Sequence, residues 1–159
     1  MQIRKDPAST ESTLPVECVD RPSGVLDRNA TRRILETRVL VVDDDPAFGR
    51  LSLGVLEQAG FRARFHRGPF GSLSAIREAR PNVILLDVNM PQLDGGHLAR
   101  IIQKTFRTPE IRLVLCSNMD ARSLDQIAAS LRMRGAIPKT AFESGDLRAI
   151  VSALLPSPV

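Results

Sequence analysis

Short apolar runs alternate with helical spacing along most of this chain, and this alternation is the feature that most restricts its fold. The runs lie at residues 38–42, 61–66, 82–86, 111–116 and 135–137. Between and after them, apolar residues recur every three or four positions, as on one face of a helix. Five strands alternating with five helices predict an α/β fold, in which helices cover both faces of a parallel sheet.

The pattern inside the runs predicts the strand order. The runs at 38–42, 82–86 and 111–116 show no polar alternation, which is typical of central strands. The run at 61–66 alternates apolar with basic residues, which indicates an edge strand with one solvated face. A right-handed crossover places that edge strand beside the first strand, and the chain then crosses to the other side. We therefore predict a doubly wound sheet of order 2-1-3-4-5.

The beginning of the chain differs from the rest in composition and in periodicity. Residues 1–37 contain three prolines, many serines and threonines, and no sustained period, which predicts a flexible N-terminal extension. A short helical turn is expected near its end, with Ile34 and Leu35 packing on the domain. The domain itself is predicted to span residues 38–156, and residues 157–159 form the C-terminal end.

Composition excludes several classes of protein. No apolar run approaches the roughly 18 residues of a membrane span, and no signal peptide is visible, so we expect a cytoplasmic protein. Two cysteines without metal-type spacing exclude a disulfide scaffold and a Cys/His zinc site, and Cys116 is expected to be a buried apolar filler. The net charge of +4 comes from scattered arginines, so we expect neither a nucleic-acid nor a membrane partner.

Polar residues suited to phosphate chemistry stand at the ends of four predicted strands. Asp43 and Asp44 follow the first strand, and Asp87 follows the third. Ser117 ends the fourth strand and Lys139 follows the fifth. In open α/β sheets, ligands bind at the carboxyl ends of the strands where the strand order reverses. We therefore expect these side chains to converge near the first and third strands.

This residue set suits phosphoryl transfer. Clustered carboxylates repel one another unless a cation intervenes, and an all-oxygen ligand set favours Mg²⁺. A metal and a lysine offset charge on the transferring oxygens, while a carboxylate attacks phosphorus and becomes an acyl phosphate. The chain has three lysines beside nineteen arginines, so a lysine at a strand end is itself informative.

Each polar residue also has a simpler structural explanation. Asp45 is followed by proline, which is typical of a helix N-cap, and we expect that role for it. Aspartates are common in turns after strands. Ser117 is in position to cap the next helix, although Asn118 and Asp120 compete for that role. The joint placement of the polar residues, rather than any one of them, favours a functional site.

Four segments together resemble the receiver domain of bacterial two-component response regulators. They are VLVVDDDP (39–46), ILLDVNMPQLDG (84–95), VLCS (114–117) and IPK (137–139). The resemblance covers residues 38–155 and implies a flavodoxin-like receiver fold with a five-stranded parallel sheet and five helices.

The resemblance also implies roles for the acidic residues. By position, Asp87 resembles the phosphoacceptor of the family. Asp43 and Asp44 resemble the acidic pair that organises Mg²⁺ (or Mn²⁺). Asp87 and the backbone carbonyl of Asn89 are then the further metal ligands.

Other positions match family residues that respond to the phosphoryl group. Ser117 resembles the switch hydroxyl, and Lys139 resembles the lysine that pairs with the phosphoryl group. Asn89, Asn118 and Met119 occupy positions that modulate the kinetics of phosphorylation in such domains.

The function implied is that of a stand-alone response regulator. A histidine kinase or a histidine phosphotransfer protein is the expected donor, and the signal is expected to leave through a downstream protein partner. No output domain is expected, because few residues follow the last predicted helix. We do not expect an enzyme, beyond assistance to its own phosphorylation and dephosphorylation.

Two alternatives remain at this point. A phosphorylation-independent interaction module, or pseudo-receiver, is favoured by three departures from the family pattern, at Asn118, Ala136 and Thr140. Ala136 stands near the place of an aromatic switch residue, and Thr140 stands where proline usually follows the lysine. An aspartyl phosphatase is disfavoured, because Asn89 stands where such enzymes have an acid that transfers a proton.

Overall fold

The helices and strands of the chain were assigned in a computed structural model that describes residues 27–106 and 110–156. Most of the predicted N-terminal extension, including Cys18, lies outside the described residues, as do residues 107–109 and 157–159. In chain order the elements are α1 (Arg28–Glu36), β1 (Arg38–Asp43), α2 (Pro46–Gln58), β2 (Arg62–Arg67), α3 (Ser72–Ala79), β3 (Val83–Asp87), α4 (Gly95–Phe106), β4 (Arg112–Ser117), α5 (Ala121–Ser130), β5 (Gly135–Pro138), α6 (Thr140–Glu143) and α7 (Leu147–Leu154).

The strands form one parallel sheet with the order β2-β1-β3-β4-β5, which confirms the predicted topology. All five strands end one residue later than predicted, and in β1 to β4 that last residue is polar and still pairs within the sheet. Asp87 of β3 pairs with Cys116 of β4, and Ser117 of β4 pairs with Pro138 of β5. The polar ends of the strands are therefore held by the sheet itself.

The central strands are apolar on both faces because each face carries its own helices. Val41 of β1 packs in a cluster with Leu56 of α2 and Ile150 of α7. The next residue, Val42, packs on the opposite face in a cluster with Ile76 of α3 and residues of α4. Successive strand residues point to opposite faces, so continuous burial requires a continuous apolar run.

Strand β2 is the edge strand that the alternating pattern predicted. Arg62, Arg64 and Arg67 are exposed, whereas Phe65 is half-buried against the α2 side of the sheet. The strand begins one residue later than predicted, because the backbone N–H of Phe61 donates to Leu56 O at the end of α2. Phe61 thereby belongs to the helix–strand connection and is buried there.

The described residues contain seven helices: the five predicted, α1 where a short helical turn was expected, and α6, which was not predicted. Helix α6 is a single turn that follows Lys139 directly, and helix α1 lies within the predicted N-terminal extension. Ile34 of α1 is buried in the core, as expected, but Leu35 is 53% exposed, so its predicted packing was wrong. Adjacent residues on a helix do not share a face, so only one of the two reaches the core. The domain boundary at residue 38 stays a prediction.

The helix caps distinguish structural from functional aspartates. Asp45 accepts a hydrogen bond from the backbone N–H of Ala47 at 2.8 Å, which confirms its role as the N-cap of α2. Asp120 caps α5 by accepting from the backbone N–H of Ser123 at 3.0 Å. Ser117 is therefore not needed as a cap. Within the described ranges no helix has both the length and the apolar character that crossing a lipid bilayer requires.

Gly95, at the start of α4, packs directly against the end of β3. A Cβ atom built there lies 2.4 Å from the backbone carbonyl oxygen of Asp87 and 2.4 Å from the Cα of Val88. Neither backbone atom can rotate away as a side chain does. The close approach of α4 to β3 thus requires glycine at this position.

We expect Gly95→Ala to lower the free energy of unfolding by roughly 2 kcal/mol or more, because a backbone clash must be relieved. Gly54→Ala is the matched control, because a Cβ at Gly54 in α2 meets no atom within 4 Å. That control should raise the stability by about 0.5–1 kcal/mol. Urea denaturation followed by circular dichroism measures both changes, and equal stabilities of the two variants would contradict the packing described.

Candidate functional site

The carboxyl ends of the central strands bring together the polar residues that the sequence placed there. Asp43 is the last residue of β1, Asp87 the last of β3 and Ser117 the last of β4. Lys139 comes directly after β5. Because the strands are parallel and adjacent, all four residues lie at one edge of the sheet.

Three carboxylates form the acidic part of this site. Asp43, Asp44 and Asp87 each place one carboxylate oxygen within 4.8 Å of the others. Asp43 is 1% and Asp87 3% exposed, while Asp44 is half-buried. Two carboxylates 4 Å apart repel by about 4 kcal/mol at an effective dielectric constant of about 20. The cluster therefore requires compensating positive charge.

Lys139 supplies part of that charge from within the site. Its Nζ lies 2.6 Å from Asp43 Oδ2 and 3.3 Å from Asp87 Oδ2, and the residue is 6% exposed. The Nζ also lies 4.5 Å from the centre of the Phe48 ring, a cation–π arrangement. Burial lowers the pKa of Lys139, but the hydrogen bond and charge of Asp43, together with Asp87, outweigh it and hold the pKa above its ordinary value. The amine is therefore charged at neutral pH.

Asp43 is the most deeply buried of the three carboxylates. Burial raises the pKa of its carboxyl above the ordinary value, more than the hydrogen bonds from Lys139 and from the backbone N–H of Asp45 lower it. Asp43 Oδ2 is buried, and among the described residues its one close donor is Lys139 Nζ, at 2.6 Å. The same amine also faces Asp87, so one positive charge serves at least two carboxylates.

The donor set also indicates which cation fits. The three clustered groups offer only carboxylate oxygens, and neither histidine nor cysteine belongs to the cluster. Hard divalent cations such as Mg²⁺ prefer oxygen ligands, and Mg²⁺ is bound in proteins by a few carboxylates together with water. One lysine cannot neutralise three carboxylates. The residues present therefore fit a divalent cation.

Hydrogen bonds from the loop after β3 orient the central carboxylate. The backbone N–H of Asn89 donates to Asp87 Oδ1 at 3.0 Å. The side-chain amide of Asn89 donates to Ser117 Oγ at 2.9 Å, and the backbone N–H of Lys139 donates to Ser117 O at 2.9 Å. Asn89 thereby links the Asp87 loop to the end of β4.

Not every predicted site residue joins this network. Asn118 is exposed, and Met119 packs against a hydrophobic cluster that contains Leu124 and Ala128 of α5. Within the described ranges, neither residue forms a hydrogen bond or an ion pair with the three carboxylates. Cys116 is buried beneath the site, as predicted, and burial raises the pKa of its thiol, which keeps it neutral.

Phe48 is a site residue that no sequence motif identified. Its ring packs edge-on against Phe142 of α6, with centroids 5.5 Å apart and planes at 85°. The ring also lies beside the Lys139 amine. This contact depends on how α6 folds back onto α2, which no local pattern encodes. A phenylalanine at a helical apolar position is otherwise ordinary.

Comparison with solved structures shows the same fold. The chemotaxis protein CheY4 of Vibrio cholerae superposes with a TM-score of 0.64 at 20% identity, over 74% of this chain and 98% of that chain. The BeF3-activated receiver domain of Klebsiella pneumoniae RstA gives a TM-score of 0.59 at 22% identity, over 72% and 98%.

Sequence comparison adds the family. The nitrogen assimilation regulatory protein NtrX of Azorhizobium caulinodans is 40% identical over 81 residues, which are 50% of this chain and 17% of that protein. The DNA-binding response regulator MtrA of Mycolicibacterium smegmatis is 33% identical over 79 residues, 50% of this chain and 35% of that protein. The matched part is thus at most about a third of these relatives. The sequence model of the response regulator receiver domain matches residues 39–152, and the chain therefore belongs to that family of two-component signalling proteins.

Proposed function

We propose that this chain accepts a phosphoryl group on Asp87 from a histidine kinase or a histidine phosphotransfer protein. The observation that carries the proposal is the position of the Asp87 carboxylate, which lies among Asp43, Asp44 and the Lys139 amine at the carboxyl edge of the sheet. Phosphorylation on aspartate is general in the receiver family to which the chain belongs.

The two carboxylate oxygens of Asp87 accept hydrogen bonds from different donors, and this suits a carboxylate that acts as a nucleophile. Oδ1 accepts the backbone N–H of Asn89, while Oδ2 faces Lys139. In the proposed step, a carboxylate oxygen forms a bond to phosphorus as the bond from phosphorus to the donor imidazole breaks. The electron pair of the broken bond stays on the donor nitrogen, and the product is an acyl phosphate.

Lys139 and Ser117 are proposed to stabilise the phosphoryl group. The charged amine already lies 3.3 Å from Asp87 Oδ2, so it is close to where negative charge develops. The Ser117 hydroxyl accepts a hydrogen bond from Asn89, and its own proton is free to be donated to a phosphoryl oxygen. The amine is in place before transfer, whereas Ser117 is proposed to move toward the phosphoryl group after transfer.

A divalent ion, Mg²⁺ or Mn²⁺, is proposed to complete the site. Asp43, Asp44, Asp87 and the backbone carbonyl of Asn89 would hold it, and the close approach of the three carboxylates supports this assignment. When bound, the ion offsets negative charge on the carboxylates and on the transferring phosphoryl oxygens. The protein's own contribution is to keep the carboxylates together, which Lys139 does.

The output is proposed to be a change of surface read by another protein. The phosphoryl group adds about −1.5 to −2 charges by analogy with other phospho-residues. For Ser117 to donate to the phosphoryl group, the hydrogen bond from Asn89 must rearrange, and the segment after β4 moves with it. We propose a cytoplasmic signalling role through protein partners rather than catalytic turnover.

The acceptor is tested with acetyl phosphate and Mg²⁺, followed by electrophoresis on a phosphate-affinity gel. Wild type should give a retarded band and Asp87→Asn none, because the amide cannot attack phosphorus. Asp125→Asn, an exposed position on α5, is the matched control and should be retarded like wild type. Retardation that survives Asp87→Asn excludes Asp87 as the acceptor, and its absence in wild type would favour the phosphorylation-independent module.

The cation site is tested by thermal unfolding with and without Mg²⁺. Without the ion, Asp44→Asn should be more stable than wild type by about 1 kcal/mol, because one repelling charge is removed. At a free concentration about ten times Kd, Mg²⁺ should stabilise wild type by about 1.4 kcal/mol and Asp44→Asn much less. Asp125→Asn should respond to the ion as wild type does. Equal stabilisation of all three proteins would mean that the ion binds elsewhere.

A further inference from the structure

A cleft of about 360 Å³ lies at the amino edge of the sheet, opposite the acidic site. Its walls come from the end of α1, the starts of β3, β4 and β5, and the end of α7. Three arginines line it: Arg33 of α1, Arg112 at the start of β4, and Arg134 just before β5. The cleft and Asp87 lie at opposite ends of the strands, because Arg112 begins β4 at the cleft and Ser117 ends β4 at the acidic site.

Helix capping uses only some of the guanidinium N–H groups of these three arginines. Arg33 Nη2 donates to Pro156 O at 2.6 Å, and Arg112 Nε donates to Ala153 O at 3.0 Å. These bonds satisfy carbonyls at and just beyond the carboxyl end of α7. Within the described ranges, the Nη groups of Arg112 and the whole guanidinium of Arg134 form no hydrogen bond to protein.

The positive charges of the cleft are not neutralised by ion pairs. Among residues 27–106 and 110–156, none of the three guanidinium groups forms an ion pair with a carboxylate. Glu36 lies at the cleft but pairs with Arg32 on its own helix, at 2.8 Å. Glu110 also lies at the cleft, without an ion pair to any described residue.

The two strand-end arginines lie close enough to repel each other. Burial lowers the pKa of the Arg112 guanidinium, and the charge of Arg134 lowers it further. The Arg112 group extends past Gly135, where an added Cβ would lie 3.4 Å from Arg112 Nη2. Arginine keeps its proton in proteins, so two positive charges stay close together at the cleft. An anion between the two groups would offset this repulsion.

We propose that this cleft binds the phosphate group of a small molecule. Guanidinium groups match phosphate oxygens in a planar, two-bond geometry, and phosphate carries enough charge to bridge two or three of them. Leu155, which is 9% exposed, offers a small apolar surface next to the arginines for the organic part of a phosphate monoester. The proposal does not depend on phosphorylation of Asp87.

The shape and charge of the cleft favour a small anion over a polymer. Its volume lies in the range of small-molecule pockets, about 300–1,000 Å³. Three arginines and two glutamates line the cleft, which leaves a net charge of +1, too little for a chain of phosphates. Free phosphate and a phosphate monoester share the chemistry that the arginines recognise, so both serve as probes.

The test is calorimetric titration of the full chain with inorganic phosphate and, separately, with adenosine monophosphate. The Asp87→Asn background without divalent cations, at constant ionic strength, keeps the acidic site from contributing. Arg134→Gln should weaken binding of the probes about tenfold, the loss of one charge-assisted hydrogen bond. Arg100→Gln, an exposed arginine on α4, is the matched control and should leave binding unchanged.

A second variant separates ligand binding from damage to the fold. Glu110→Gln should tighten binding about threefold, because it removes a like charge near the ligand, and a damaged fold would not produce a gain. Tighter binding of adenosine monophosphate than of phosphate assigns the cleft to a monoester, and equal binding assigns it to the free anion. Binding of neither probe by the Asp87→Asn protein, or equal weakening by Arg134→Gln and Arg100→Gln, overturns the proposal.

Discussion

Repulsion among three carboxylates at one edge of a parallel sheet is the constraint around which this site is built. Asp43 and Asp87 end neighbouring strands, so the sheet itself forces their side chains together. Lys139 comes from the end of β5 and reaches both of them. The lysine offsets only part of the negative charge of the carboxylates. The charge that remains suits this edge of the sheet to binding a cation.

The sheet can hold this charge because its apolar residues pack on both faces. The central strands are buried on both faces, with Val41 and Val42 of β1 in clusters on opposite sides. Such packing fixes where each strand ends, and therefore where each polar residue projects. At the amino edge of the same strands, Arg112 and Arg134 concentrate the opposite charge. The fold thus separates an acidic site and a basic cleft by the length of a strand.

Much of the fold was predictable because it follows from patterns of local sequence. The edge position of β2 followed from its alternation, and the convergence of Asp43, Asp87, Ser117 and Lys139 followed from parallel strand ends. The bond between the Asn89 amide and Ser117 was not predictable, since it depends on the conformation of the loop after β3. The docking of α6 was missed for the same reason, because Phe142 of α6 packs against Phe48 of α2. Helix α1 was expected only as a short turn with Ile34 packed on the domain, and the bond from Arg33 to Pro156 O that also holds it follows from no periodic pattern.

The most direct test of the proposed chemistry is chemical trapping of the modified residue. Borohydride reduces an aspartyl acyl phosphate to homoserine, which peptide mass spectrometry locates. After incubation with acetyl phosphate and Mg²⁺, homoserine should be found at position 87, and omission of the divalent ion should largely abolish it. Homoserine at another aspartate, or none in a folded protein that has bound Mg²⁺, would contradict the assignment of Asp87 as the phosphoryl acceptor.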